Sequence, residues 1–225
     1  MIKNKKILNH NKKSHLLKVN EAITKIKIDS ESKKRKFVES IELIMVINRS
    51  QINPDSQIRG TISLPHGRGK ESKIAYFTKN KEEMQKAMSL GAKAAGLEEL
   101  INKIDSEKIK FDFCLSTPDA MQSISKIARK LGPRSLMPSQ KDETISTDVE
   151  HTIKDFKDKR VKFKITKNGV IQCIAGTTSQ DNSELAENIK HIKSFISSFP
   201  TSKSLTFCSA YLKSTMGMPY EILFE

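Results

Sequence analysis

Cysteine is scarce in this chain of 225 residues and wrongly spaced for cross-linking: only Cys114, Cys173 and Cys208 occur. Their number is odd, they lie far apart, and each sits in an apolar, strand-like run. That pattern argues against a disulfide frame or a zinc site, which need closely spaced pairs, and implies a reducing compartment with three buried thiols. Long apolar runs are also missing. None approaches the roughly 20 residues needed to cross a bilayer, so no membrane partner is expected. The N-terminus has neither the apolar core of a signal peptide nor the arginine-bearing amphipathic pattern of a transit peptide, so the chain is expected to work where it is made. Acidic residues are in deficit, 26 Asp+Glu against 40 Lys+Arg, which leaves a net charge of +14 and points to a polyanionic partner.

The excess charge is unevenly placed. Residues 1–36 hold 12 Lys+Arg and 3 acids, a net +9 in about a sixth of the chain. Such an arm is either a solvated tail or a nucleic-acid contact, and contact is favoured here. The length suits one large or two small domains with real cores. Usage rich in Lys, Ile, Asn and Ser suggests an AT-rich gene, in an organelle or a reduced bacterium. The mitochondrial matrix is the expected location, with a plastid or a bacterial cytoplasm as the alternatives.

Periodicity divides the chain into two α/β parts. Asn20 to Lys27 can form a short helix with Ala22, Ile23 and Ile26 inward. Phe37 to Ile47 alternates as a strand with Ile41, Leu43, Met45 and Ile47 on one face. Pro54 marks a loop, Arg59 to Leu64 a second strand, and Pro65-His-Gly-Arg-Gly69 a sharp break. From Lys73 to about Lys157, strands and helices alternate: strands at 74–77, 93–95 and 111–115, helices at 81–88, 97–104 and 118–130, and a last helix capped by Thr147 with Val149, Ile153 and Phe156 inward. Alternation of this kind implies a small parallel sheet covered by helices. Arg160 to Thr166 and Val170 to Ala175 then flank Asn168-Gly169 as a hairpin, with Lys162 and Lys164 on one face, Lys167 at the turn, and Val161, Phe163 and Ile165 on the other. An amphipathic helix over 183–199 and a strand over 205–214 complete the chain. The expected architecture is an α+β terminal domain built from residues 1–66 and 159–225, with a Rossmann-like domain of residues 67–158 inserted at a hinge of Gly67, Gly69 and Asp158.

Catalytic chemistry is hard to find. Gly67 and Gly69 suggest a phosphate loop, but Leu64 stands where the first Walker glycine belongs and Glu71 follows Lys70. No Gly-x-Gly-x-x-Gly follows the first parallel strand, so no dinucleotide or other cofactor is expected. No nucleophile is paired in sequence with a base, Asp112 and Asp119 lack a metal-binding companion, and His66 is the one histidine in a suggestive place. A binding protein is therefore preferred to an enzyme. Two rivals stay open: a phosphate-handling enzyme on the inserted domain, and a generic RNA chaperone.

Three stretches carry a more specific signal: Ile58-Arg-Gly-Thr-Ile-Ser-Leu-Pro-His-Gly-Arg-Gly-Lys70, Leu131-Gly-Pro-Arg-Ser-Leu-Met-Pro138 and Ser214-Thr-Met-Gly217. In this order and separation they resemble the bacterial form of the ribosomal protein L-one family, over roughly Phe37 to the end. The family usually has glycine where Ser135 stands, Asn-Pro at Ser139-Gln140, and proline directly after the Thr-Met-Gly turn, where this chain has Met218. The resemblance implies a structural protein that binds the mobile stalk of the large-subunit rRNA where deacylated tRNA leaves. It also implies exit-site tRNA, other ribosomal proteins and the protein's own mRNA, whose translation it would repress, as partners. The expected RNA surface comprises Lys36, Phe37, Ser40, Lys162, Lys164, Lys167 and the turn Ser214, Thr215, Met216 and Gly217, with Arg134 auxiliary. In the turn, Thr215 would donate to a sugar or phosphate, Met216 would pack on a base or ribose, and Gly217 would let the backbone approach; the competing expectation buries Met216 in the core.

Overall fold

The computed structural model describes residues 16–33, 35–48, 59–106, 110–166, 168–198 and 207–223. The basic arm before residue 16, the loop around Pro54 and Lys167 lie outside them. Two sheets divide the described chain. The first is antiparallel and six-stranded, in the order β2-β6-β7-β1-β8-β9: Arg59–Ser63, Arg160–Ile165, Val170–Thr177, Ser40–Ile47, Phe207–Ser214 and Tyr220–Glu221. Its strands come from both ends of the chain. The second is parallel, in the order β4-β3-β5: Ala94–Gly96, Ile74–Phe77 and Phe113–Ser116. The chain is thus mixed α/β with two lobes, the Rossmann-like one set into the other.

Burial follows the sequence pattern. Strand β1 alternates between buried and half-buried positions, so Ile41, Leu43, Met45 and Ile47 all face one core. Helix α1 (Val19–Ser32) supplies Ala22, Ile23 and Ile26 to that core, and α7 (Asn182–Ser198) supplies Leu185, Ile189, Ile192 and Ile196. The parallel strands β3 and β5 are buried at every position, as strands covered on both faces must be. Over one face lie α2 (Lys81–Ser89) and α6 (Val149–Asp158), whose Phe156 ring meets Phe113 edge-on at 5.2 Å. Over the other lie α3 (Glu98–Asp105) and the short helices α4 (Met121–Ile124) and α5 (Ala128–Leu131).

Several local expectations need correction. Helix α1 runs one turn and more past Lys27, because Lys27 Nζ donates to the Gln180 carbonyl and the Tyr220 hydroxyl donates to Asp29 at 2.5 Å, fixing the later turns to neighbouring elements. The expected continuous helix 118–130 is instead a relay of the 3-10 turns 118–120 and 125–127 with α4 and α5. Its buried residues Ile124 and Ile127 are three apart, and a 3-10 turn places residues at that spacing above one another. Asp148, not Thr147, caps α6, accepting from the His151 amide at 3.4 Å. Cys208 is exposed, whereas Cys114 and Cys173 are buried. Strand β9 was not foreseen, since two residues carry no periodicity.

The crossing between lobes is narrow. The Leu64 amide donates to the Lys159 carbonyl at 2.9 Å and the Arg68 amide to the Asp158 carbonyl at 2.8 Å. Gly67 (φ 67°) and Gly69 (φ 73°) are left-handed, and a Cβ on Gly69 would lie 2.4 Å from Thr177 Oγ1. Asn188, fully buried on α7, donates to the carbonyls of Gly67 (3.0 Å) and Ala175 (2.9 Å) and accepts from the His66 amide at 3.2 Å. Sequence reasoning missed this residue.

Candidate nucleic-acid interface

Antiparallel pairing of β1 with β8 sets Ile41 opposite Ser214, which brings the end of β8 beside the start of β1. The Thr-Met-Gly turn is built on that junction. Thr215 donates to the Ser40 carbonyl from its amide (3.0 Å) and its hydroxyl (3.2 Å), and Thr215 Oγ1 accepts from the Ser40 amide at 3.1 Å. The Thr215 hydroxyl, expected to donate to RNA, here joins the two strands. Gly217 returns over Ser214, its amide donating to the Ser214 carbonyl at 3.1 Å. A Cβ on Gly217 would stand 2.3 Å from Ser214 Oγ, so a larger residue there would require the Ser214 hydroxyl to turn away. Ser214 itself is 2 % exposed and supports the turn from beneath.

What projects from this rigid junction is apolar. Met216 is 65 % exposed and Met218 67 %, and across the junction Phe37 and Val38 are 54 % and 61 % exposed. Met216 is thus not a core residue. Half of the exposed large hydrophobic residues in the described chain gather at this one corner, a concentration that marks a contact surface. Cations frame it. Lys36 precedes Phe37, and Arg35 donates through Nη1 to Glu39 Oε1 and through Nη2 to the Met216 carbonyl at 3.1 Å. Glu39 is 1 % exposed.

The remaining sequence-predicted residues lie apart. Lys164 is exposed on the open sheet face, but it pairs with Gln172, which pairs with Ile44. It is therefore roughly 10 Å across the sheet and roughly 13 Å along it from Ser40. Lys162 is directed into the other lobe: its ammonium donates to the carbonyls of Ser135 (3.0 Å) and Asp112 (3.4 Å) and sits 4.7 Å above the Phe113 ring. Burial lowers its pKa, against the opposing pull of Asp142. Arg134 is exposed on the loop that receives Lys162, next to the left-handed Ser135 (φ 54°). Lys36, Phe37, Ser40 and the turn therefore form one patch, Lys164 and Arg134 border a second, and Lys162 bridges the lobes.

Arg35 and Glu39 were missed by sequence reasoning, although a signal existed. Glu39 shares the odd-numbered phase of Ile41, Leu43, Met45 and Ile47, so an acid occupies the buried register, with an arginine four residues before it. Elsewhere, no group of three His, Cys, Asp or Glu able to hold a metal occurs among the described residues, and no described helix is long and apolar enough to cross a membrane.

Residues 29–218 match the family model described as the ribosomal protein L1p/L10e family. Among curated proteins, the chain is 36% identical to the large ribosomal subunit protein uL1 of Prochlorococcus marinus (strain NATL1A), over 89% of this chain and 86% of that one. It is 35% identical to uL1c of Porphyra purpurea over 92% and 90%, and 44% identical to uL1 of Kosmotoga olearia over 68% and 66%. The match spans β1 to β8 and everything between them, and the chain belongs to the ribosomal protein L1p/L10e family.

Proposed function

We propose that this chain is a non-enzymatic constituent of the large ribosomal subunit that binds the mobile stalk of the large-subunit rRNA and assists the exit of deacylated tRNA. The carrying observation is the corner at the β1–β8 junction, where Met216 and Met218 on one side and Phe37 and Val38 on the other stand exposed beside a turn that hydrogen bonds tie to Ser40. Aromatic and thioether groups can stack or pack on unstacked bases, and a side-chain-free Gly217 lets backbone come close to ribose. The lysines around it supply attraction without sequence preference. We assign primary contact to Lys36, Phe37, Ser40, Met216 and Gly217, with Thr215 and Ser214 as the scaffold of the turn. Lys164, Lys167 and Arg134 would make auxiliary phosphate contacts once RNA is seated.

The boundaries we propose are residues 1–66 with 159–225 for the terminal domain and 67–158 for the inserted one, hinged at Gly67, Gly69 and Asp158. Repression of its own mRNA would use the same corner, through an RNA segment that imitates the stalk. Other ribosomal proteins would be neighbours in the subunit. The Lys-, Ile-, Asn- and Ser-rich usage supports an organellar gene, with the mitochondrial matrix as the first compartment to examine. The test is co-sedimentation: the protein should remain with large subunits through a high-salt wash. Complete release into the supernatant together with bulk RNA-binding proteins would instead favour a generic RNA chaperone.

A further inference from the structure

We infer that Arg35 and Glu39 act as a positioning pair for RNA recognition, a clamp that holds the Met216 carbonyl and so fixes the outward aim of the Thr215–Gly217 turn. The inference rests on the stalk-binding reading above for its consequence, but on geometry alone for the clamp. Glu39 lies immediately before β1, 1 % exposed, and its backbone is already fixed because its carbonyl accepts from the Thr178 amide at 2.9 Å. A carboxylate so far from water needs a cation beside it. Arg35 supplies that cation. Its side chain is 19 % exposed, and Nη1 meets Glu39 Oε1 while Nη2 reaches the Met216 carbonyl at 3.1 Å.

The planar guanidinium cannot turn toward one partner without moving from the other, which lysine could not reproduce. It therefore joins two segments 181 residues apart in sequence at the corner from which Phe37 and Met216 project. Thr215 fastens one side of the turn to Ser40, and Arg35 fastens the tip. With one donor of each Nη committed in this way, Arg35 is assigned an ordering role instead of a phosphate contact. Its effect on affinity should then pass through the turn and depend on Glu39.

The experiment compares wild type with Arg35→Met, Glu39→Gln and the double variant, by hydrogen exchange at the Gly217 amide and by anisotropy titration of a stalk rRNA hairpin over a range of salt. The double variant is the informative one, because it removes both charges and leaves no buried ion unpaired. It should unfold at nearly the wild-type temperature, exchange the Gly217 amide faster, and bind the hairpin about tenfold more weakly, the size expected for one lost charge-assisted contact. Its salt slope should be unchanged, and its loss should be no greater than that of Arg35→Met. Unchanged exchange at Gly217 would overturn the clamp whatever the RNA result. A salt slope lower by about 0.7–0.9, with Glu39→Gln binding normally, would also overturn it and make Arg35 a direct phosphate contact. Faster exchange in a protein whose wild type does not prefer the hairpin would leave the clamp standing and remove the stalk-binding reading instead.

Discussion

Ser135 shows how one side chain can sit against its backbone. Its φ of 54° is left-handed, a conformation that costs an L-residue with a Cβ about 1 kcal/mol and glycine almost nothing. The loop keeps it there because the Ser135 amide donates to the Gly132 carbonyl at 2.9 Å and its own carbonyl accepts from Lys162. Replacing Ser135 with glycine should raise stability by about 0.5–1 kcal/mol in urea titration, without moving either contact. No change, or a loss, would mean that the hydroxyl makes up the difference. The same position shows what the sequence could and could not convey. Gly132 has φ −58°, and the turn takes its left-handed residue three positions later, at a serine that carries no sequence signal for it. Glu39 was legible, since an acid in the buried phase of an alternating strand calls for a partner. The hydroxyl of Thr215 was not, because whether it faces ligand or neighbouring strand depends on pairing between segments far apart in the chain.

At the scale of elements, α7 does more than cover the sheet. Its apolar stripe was visible as Leu185, Ile189, Ile192 and Ile196, but Asn188 lies on the same face, where a polar residue reads as an exception to the stripe. The structure accounts for it: the side chain satisfies Gly67, Ala175 and His66 at once, fixing the first crossing segment to the terminal lobe. Truncating Asn188 to alanine would leave these buried backbone groups without it, and the terminal lobe should lose about 2–4 kcal/mol. Thermal denaturation followed by circular dichroism checks this, and a loss under about 0.5 kcal/mol would show that the crossing is held by other contacts. Strands and their faces were legible because period-two burial is a local property. The 118–131 relay was not, since apolar residues three apart fit an α-helical face as well as a 3-10 turn.

At the scale of the whole molecule, no buried residue among the described ones is shared between the core of the antiparallel sheet and the two cores of the parallel sheet. The lobes instead meet through polar groups: Arg160 pairs with Asp155 at 2.6 Å and Glu143 at 2.5 Å, Thr61 Oγ1 donates to the Asp142 carbonyl at 3.2 Å, and Lys162 crosses to Ser135. Such contacts can be replaced by water at small cost. Excising residues 68–157 and closing the gap with a short linker should therefore leave a cooperatively folding terminal domain, because Leu64 and Lys159 are already hydrogen-bonded neighbours. Loss of a cooperative transition in that protein would contradict the proposed boundaries.

The stalk-binding claim meets its most direct test at Met216. Because this side chain is 65 % exposed, aspartate there adds no charge to a core and removes no cation. Titration of a stalk rRNA hairpin against Met216→Asp, with thermal unfolding measured on the same samples, separates recognition from stability. The expected result is an unfolding temperature within a degree or two of wild type, affinity for the hairpin reduced by at least about tenfold, and an unchanged salt slope, since no phosphate contact is lost. Wild-type affinity in the variant, or a fall in unfolding temperature that matches the loss of binding, would contradict it.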